Sequence, residues 1–117
     1  MRTFPNIAGF TGATTGAPAD RWERATAFFT AKDYRSAIEL LTPLAEEFPG
    51  QVATRLLLAR AYFHSAQLRR AEAELRAVLD LDPTEAYAHL MLGRTLQRQS
   101  RDAEAVPHLR MADLWGL

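Results

Sequence analysis

An all-α array of three stacked helical hairpins is the fold class this sequence predicts, and three observations predict it. Ala37, Ala71 and Ala105 recur at one fixed interval, and neighbouring columns repeat in step: Ala25, Ala59 and Gly93; Phe28, Tyr62 and Leu96; Tyr34, Leu68 and Asp102; Leu41, Leu75 and Leu109; Leu44, Val78 and Ala112. A constant period of about 34 residues is the mark of a helical repeat. Pro49 and Pro83 fall on the same ruler and punctuate the units. Within each unit apolar residues recur at three- and four-residue steps, the spacing of an amphipathic helix.

The elements follow in order. Met1 to Ala19 is rich in Gly, Thr, Ala and Pro and almost free of charge, so it reads as an irregular N-terminal arm. Its Phe4, Ile7 and Phe10 leave open whether it docks or stays solvated. Asp20, with Glu23 three residues on, is the expected N-cap of a first helix over about 21–31. The spacing predicts further helices over about 35–48, 52–65, 69–81, 85–99 and 103–114, which divide the chain into an arm (1–19) and a repeat domain (20–117) with units at about 20–50, 51–84 and 85–117. Pro43 and Pro107 fall inside predicted helices, where a missing amide and a ring clash cost about 3 kcal/mol, so a kink or a late helix start is expected there.

The small columns have a packing reason. Where two helices of one hairpin cross, a longer side chain at Ala25, Ala59 and Gly93, or at Ala37, Ala71 and Ala105, would hold the backbones apart. Phe28, Tyr62 and the leucines at 41, 75 and 109 fill the space beside each crossing, each burial contributing roughly 1.5 to 3 kcal/mol.

Composition narrows the function. The 117 residues include 48% hydrophobic side chains, enough for one core, and fourteen basic residues balance fourteen acidic ones. Neutral charge argues against a nucleic-acid or membrane partner. No cysteine is present, which removes disulfides and thiolate chemistry and agrees with a cytoplasmic location. Pro5, Asn6 and Gly9 interrupt any run that could serve as a signal peptide. His64, His89 and His108 lie far apart in the chain with no metal-ligand spacing, and read as ordinary histidines. Gly9, Gly12 and Gly16 form no phosphate loop. Neither an enzyme, a metal site nor a cofactor is expected.

The hairpin unit, its period and the order of small, aromatic and proline positions resemble the tetratricopeptide repeat family from Asp20 to Leu117. The second unit matches best, with Leu58, Ala59, Tyr62, Ala71, Leu75, Val78 and Pro83 at signature positions. The third unit has Leu96 for the aromatic, and the first has Arg24 where the others have Leu58 and Leu92. The resemblance implies a right-handed α-solenoid whose leading helices line a concave face. By that resemblance the inward residues are Trp22, Thr26, Phe29 and Thr30; Leu56, Arg60, Phe63 and His64; and Tyr87, Leu90, Arg94 and Arg98. The expected protein-binding groove is Trp22, Phe29, Leu56, Arg60, Phe63, Tyr87, Leu90, Arg94 and Arg98, since aromatic and arginine side chains make binding hot spots. The competing reading places Trp22, Leu56 and Leu90 in the core.

Family members that clamp chaperone carboxylates use Lys, Asn and Arg at groove positions occupied here by Trp22, Thr26, Leu57, Tyr87 and Met91, so that clamp is missing. The implied partner is a protein segment bearing apolar side chains with an acid or two, either an amphipathic helix or an extended stretch. A second copy, joined through the C-terminal unit or the arm, is another candidate. An adaptor or scaffold role follows, with a client-specific chaperone or a regulatory subunit of an enzyme complex as the alternatives.

Overall fold

Three helical hairpins account for residues 16–117, the part of the chain that the computed structural model describes. The helices are α1 (Pro18–Thr30), α2 (Tyr34–Glu47), α3 (Val52–His64), α4 (Leu68–Leu81), α5 (Ala86–Arg98) and α6 (Asp102–Leu114), with no strand among the described residues. The predicted bounds hold to within three residues.

The start of α1 corrects one expectation. Ala17, not Asp20, is the N-cap, and Pro18 occupies the first turn, where its fixed φ suits a helix and its missing N–H costs nothing. Asp20 lies inside the first turn instead, where its charge favours the positive end of the helix. The expected arm therefore gives way to helix two residues earlier than Ala19, and the rest of it, residues 1–15, lies outside the described residues. Asp33 caps α2 by accepting the Ser36 N–H at 3.2 Å. Hydrogen bonding by Ser36, from its side chain first and then from this N–H, holds the Asp33 carboxyl below its usual range.

Pro43 and Pro107 do not delay their helices, which begin at Tyr34 and Asp102 and run through them. Around Pro43 the buried Leu40, Leu41, Leu44 and Ala45 supply enough apolar contact to outweigh one lost amide bond.

Each hairpin turns through the same backbone device. Lys32, Ala66 and Ser100, again one repeat period apart, adopt φ of 64°, 62° and 61°. The turn closes because the N–H groups of Asp33, Gln67 and Arg101 reach back to the carbonyls of Phe28, Tyr62 and Leu96 at 2.8, 2.8 and 2.9 Å. This satisfies helix-end carbonyls that would otherwise lack donors. A left-handed residue with a side chain is strained, and none of the three is glycine.

The crossings are as tight as the small columns require. Ala25, Ala37, Ala59, Ala71 and Ala105 are fully buried. A Cβ on Gly93 would sit 2.5 Å from Leu109 Cδ2 and 2.6 Å from its Cγ, so Leu109 occupies the space that a side chain at 93 would need. Two apolar clusters result. One joins α1, α2, α3 and the start of α4 through Ala25, Leu41, Leu58 and Ala71; the other joins α3 to α6 through Ala59, Leu75, Leu92 and Ala105; Phe63 packs against both.

Helices α1 and α3 touch, as do α3 and α5, whereas α2, α4 and α6 do not touch one another. The leading helices therefore form the inner side of a slender body measuring 52 × 24 × 19 Å.

Polar clips tie the hairpins. Glu72 of α4 receives Arg101 Nη1 at 2.7 Å, Gln99 Nε2 at 3.2 Å and Arg76 Nε at 3.0 Å. Burial alone would raise its pKa, but the hydrogen bonds from Arg101, Gln99 and Arg76 prevail and lower it to about 2. Arg55 spans another junction, donating to Pro49 O and to Glu74 Oε1, both at 2.9 Å.

The strained turns yield a test. Ala66 is exposed, so Ala66→Gly should relieve the left-handed strain and stabilise the protein by about 0.5–1 kcal/mol after glycine's entropy cost is counted. Urea unfolding of the two proteins would measure it.

Candidate functional site

The inner surface is made by the stripe of α1, α3 and α5 that the outer helices leave uncovered. None of the nine expected groove residues is fully buried: Trp22, Phe29, Leu56, Arg60, Phe63, Tyr87 and Leu90 are half-buried, and Arg94 and Arg98 are exposed. Trp22, Phe29, Leu56, Phe63 and Tyr87 rest against the margins of the two clusters. Leu57 and Met91, at positions where a carboxylate clamp would need polar groups, are buried.

Rings and guanidinium groups interleave across the repeats. The Arg60 guanidinium lies 4.7 Å from the centre of the Phe29 ring and 5.8 Å from that of Tyr87, so one α3 side chain bridges α1 and α5. Arg98 of α5 lies 4.6 Å over Phe63 of α3 and donates to its carbonyl at 3.0 Å. Such contacts are worth about 0.5–1 kcal/mol each at exposed sites. Arg60, Arg94 and Arg98 have no carboxylate partner among the described residues. Leu90 and Arg94 take part in none of these ring contacts.

His64 sits at the centre of an aromatic group that the sequence did not reveal. Its ring stacks on Tyr34 at 5.3 Å and meets Phe29 and Phe63 edge-on at 5.8 and 5.6 Å. Partial burial among these rings, and then the positive charges of Arg60, Arg98 and Lys32, hold its pKa below the ordinary imidazole value. Tyr34 entered the sequence reading as a repeat column alone, and its place at the head of α2, beside the end of α3, depends on the turn geometry. The signal available was the row Thr30, His64, Arg98, which follows the same period.

Trp22 has a different setting from the other expected groove residues. It lines a cavity of about 310 Å³ with Pro18, Ala19, Leu44, Phe48, Ala53 and Thr54, at the rim where α1 and α3 begin and α2 ends.

The other two histidines, 19 residues apart in the chain, are brought together by the fold. His89 Nδ1 and His108 Nδ1 are 3.0 Å apart, and His89 Nε2 is 2.9 Å from the Pro83 carbonyl oxygen. The carbonyl can only accept, so Nε2–H of His89 donates to it, and a neutral His89 then accepts the Nδ1–H of His108. Burial, then His89 and Arg76, keep the His108 pKa below its ordinary value. The register between α5 and α6, invisible in spacing alone, makes the pair. No cluster of three or more metal-ligating side chains occurs among the described residues.

Comparison with known proteins follows the same lines. The family model described as Tetratricopeptide repeat matches residues 28–93, more than half of the chain. Among solved structures the chain is similar to a mutant of MamA, with 23% identity and a TM-score of 0.79 over 83% of this chain and 53% of that one. A second MamA mutant gives 26% identity and a TM-score of 0.73 over 80% and 72% of the two chains. MamA from Desulfovibrio magneticus RS-1 gives 24% and 0.74 over 78% and 51%. The chain thus spans about half the length of the first and third of these proteins, and the likenesses show the fold. No curated protein matches the chain significantly.

The charge around His64 is open to direct measurement. Arg98→Gln should move the His64 pKa upward, toward the ordinary imidazole value, because it removes one of the cations that oppose protonation; an NMR titration of the ring protons reads it.

Proposed function

Because the chain belongs to the tetratricopeptide repeat family, we propose that it is a protein-interaction adaptor that holds a segment of a partner protein on the face lined by α1, α3 and α5. The observation that carries this reading is the set of arginines without carboxylate partners on that face, of which Arg60 and Arg98 lie over half-exposed rings. Rings offer wide, rigid contact area at small entropic cost, and an arginine beside them offers several N–H donors. A partner that supplies apolar side chains and acceptors would satisfy both at once.

The site contains aliphatic, aromatic and arginine side chains, a composition suited to recognition. No described helix is long and apolar enough to cross a membrane. Val106, Leu114, Trp115 and Leu117 are exposed on and after α6, so a second copy of the chain is a further candidate occupant for apolar surface.

Affinity capture on immobilised wild-type protein, run beside the double variant Phe63→Ala plus Arg94→Glu, tests the assignment. The same prey should be lost from the variant while circular dichroism shows its helices intact. Prey retained by a folded variant would place recognition elsewhere.

A further inference from the structure

We propose that the occupant of the inner face is an amphipathic helix lying across α1, α3 and α5, with carboxylates along one edge of an apolar stripe. The inference rests on the groove reading above and adds the chemistry of the partner.

The polarity of the face is divided lengthwise. At the positions nearest the helix starts stand Trp22, Leu56 and Leu90; one turn on, about 6 Å along each helix, stand Thr26, Arg60 and Arg94; a further turn on stand Thr30, His64 and Arg98. One margin of the trough is therefore apolar, and the other carries the arginines, of which Arg60 and Arg98 are set over the rings of Phe29 and Phe63. The leading helices α1, α3 and α5 carry six arginines against two carboxylates, and although Arg21 and Arg55 pair with Glu47 and Glu74, Arg60, Arg94 and Arg98 do not, whereas α2, α4 and α6 together carry nine carboxylates against five arginines. The neutral total conceals a separation of charge, positive inside and negative outside. A ligand with one apolar and one acidic edge fits that division; a basic ligand would be repelled by the inner margin.

A helix suits the face better than an extended segment. The all-α inner surface offers no strand edge to pair with an extended backbone, and a helix satisfies its own amides, leaving side chains alone to be matched. The spacing agrees. Neighbouring packed helices lie about 8–10 Å apart, and seven residues of an occupant helix rise about 10.5 Å. Apolar residues at seven-residue intervals would meet Trp22, Leu56 and Leu90 in turn, with carboxylates at the same interval meeting Arg60 and Arg94. Arg98 has one N–H committed to the Phe63 carbonyl, and its remaining donors are open to a carboxylate.

Three synthetic 18-residue helical peptides with one leucine stripe and a flank of Glu, Gln or Lys test this by calorimetry on the full chain. The Glu peptide should bind at least tenfold tighter than the Gln peptide, with the gap narrowing as salt is raised, and the Lys peptide should bind weakest. In Arg94→Glu plus Arg98→Glu, both exposed positions, the order of Glu and Lys should invert. His64 gives a second readout, since a carboxylate arriving beside Arg60 and Arg98 should raise its pKa in the NMR titration, which contact with the Gln peptide would not. Equal affinity for the Glu and Gln peptides, abolished by Phe63→Ala, would overturn the acidic partner and leave the groove reading standing. Failure of all three peptides to bind would overturn the helical occupant, and prey surviving in the folded capture variant would overturn the groove as well.

Discussion

Close crossing of the two helices in each hairpin is the constraint on which the rest depends. Ala25 with Ala37, Ala59 with Ala71, and Gly93 with Ala105 bring the backbones near enough for the flanking leucines and aromatics to interlock. In the third hairpin the second column closes over the first, with Leu109 filling the place where Gly93 lacks a side chain. A tight crossing also brings each turn to one shape, so Lys32, Ala66 and Ser100 share a left-handed backbone that none of them favours. Packing overrides local preference at these three sites.

From the crossing follows the inner surface. Similar hairpins stacked side by side carry every position in a leading helix into a row with its equivalents one period away, so a feature of one residue becomes a feature of a whole margin. The rows built on Trp22 and on Arg60 are products of this multiplication. Arg60, reaching from α3 to Phe29 on one side and Tyr87 on the other, shows how the rows also bind the repeats together. Ion pairs such as Glu72 with Arg101 form between other residues, which leaves the inner arginines unneutralised.

Much of this was legible in the chain because the repeat period reports the same fact three times. Helix ends and small crossings follow from one ruler, and the structure places them accordingly. What escaped depends on single sites. Pro18 reads as part of the arm because it closes a stretch rich in Gly, Thr, Ala and Pro, whereas at the first turn it starts a helix. The left-handed turns were hidden by ordinary residues in place of glycine. The contact of His89 with His108 depends on how α5 and α6 slide against each other, and the stacking of Tyr34 on His64 depends on how one hairpin docks on the next. Such registers are set by tertiary packing that no local pattern encodes. Whether Trp22 and Leu56 were groove or core had no sharp answer in the sequence, since both rest on the core's margin with one side open.

Native-state amide hydrogen exchange tests the nested hairpins most directly. Protection should recur with the period of the chain, slowest to exchange around the crossings at Ala25, Ala59 and Gly93 and their partners Ala37, Ala71 and Ala105, and fastest at the turns around Lys32, Ala66 and Ser100. Protection confined to a single hairpin, or a profile without that recurrence, would contradict the stacked array from which the inner face derives.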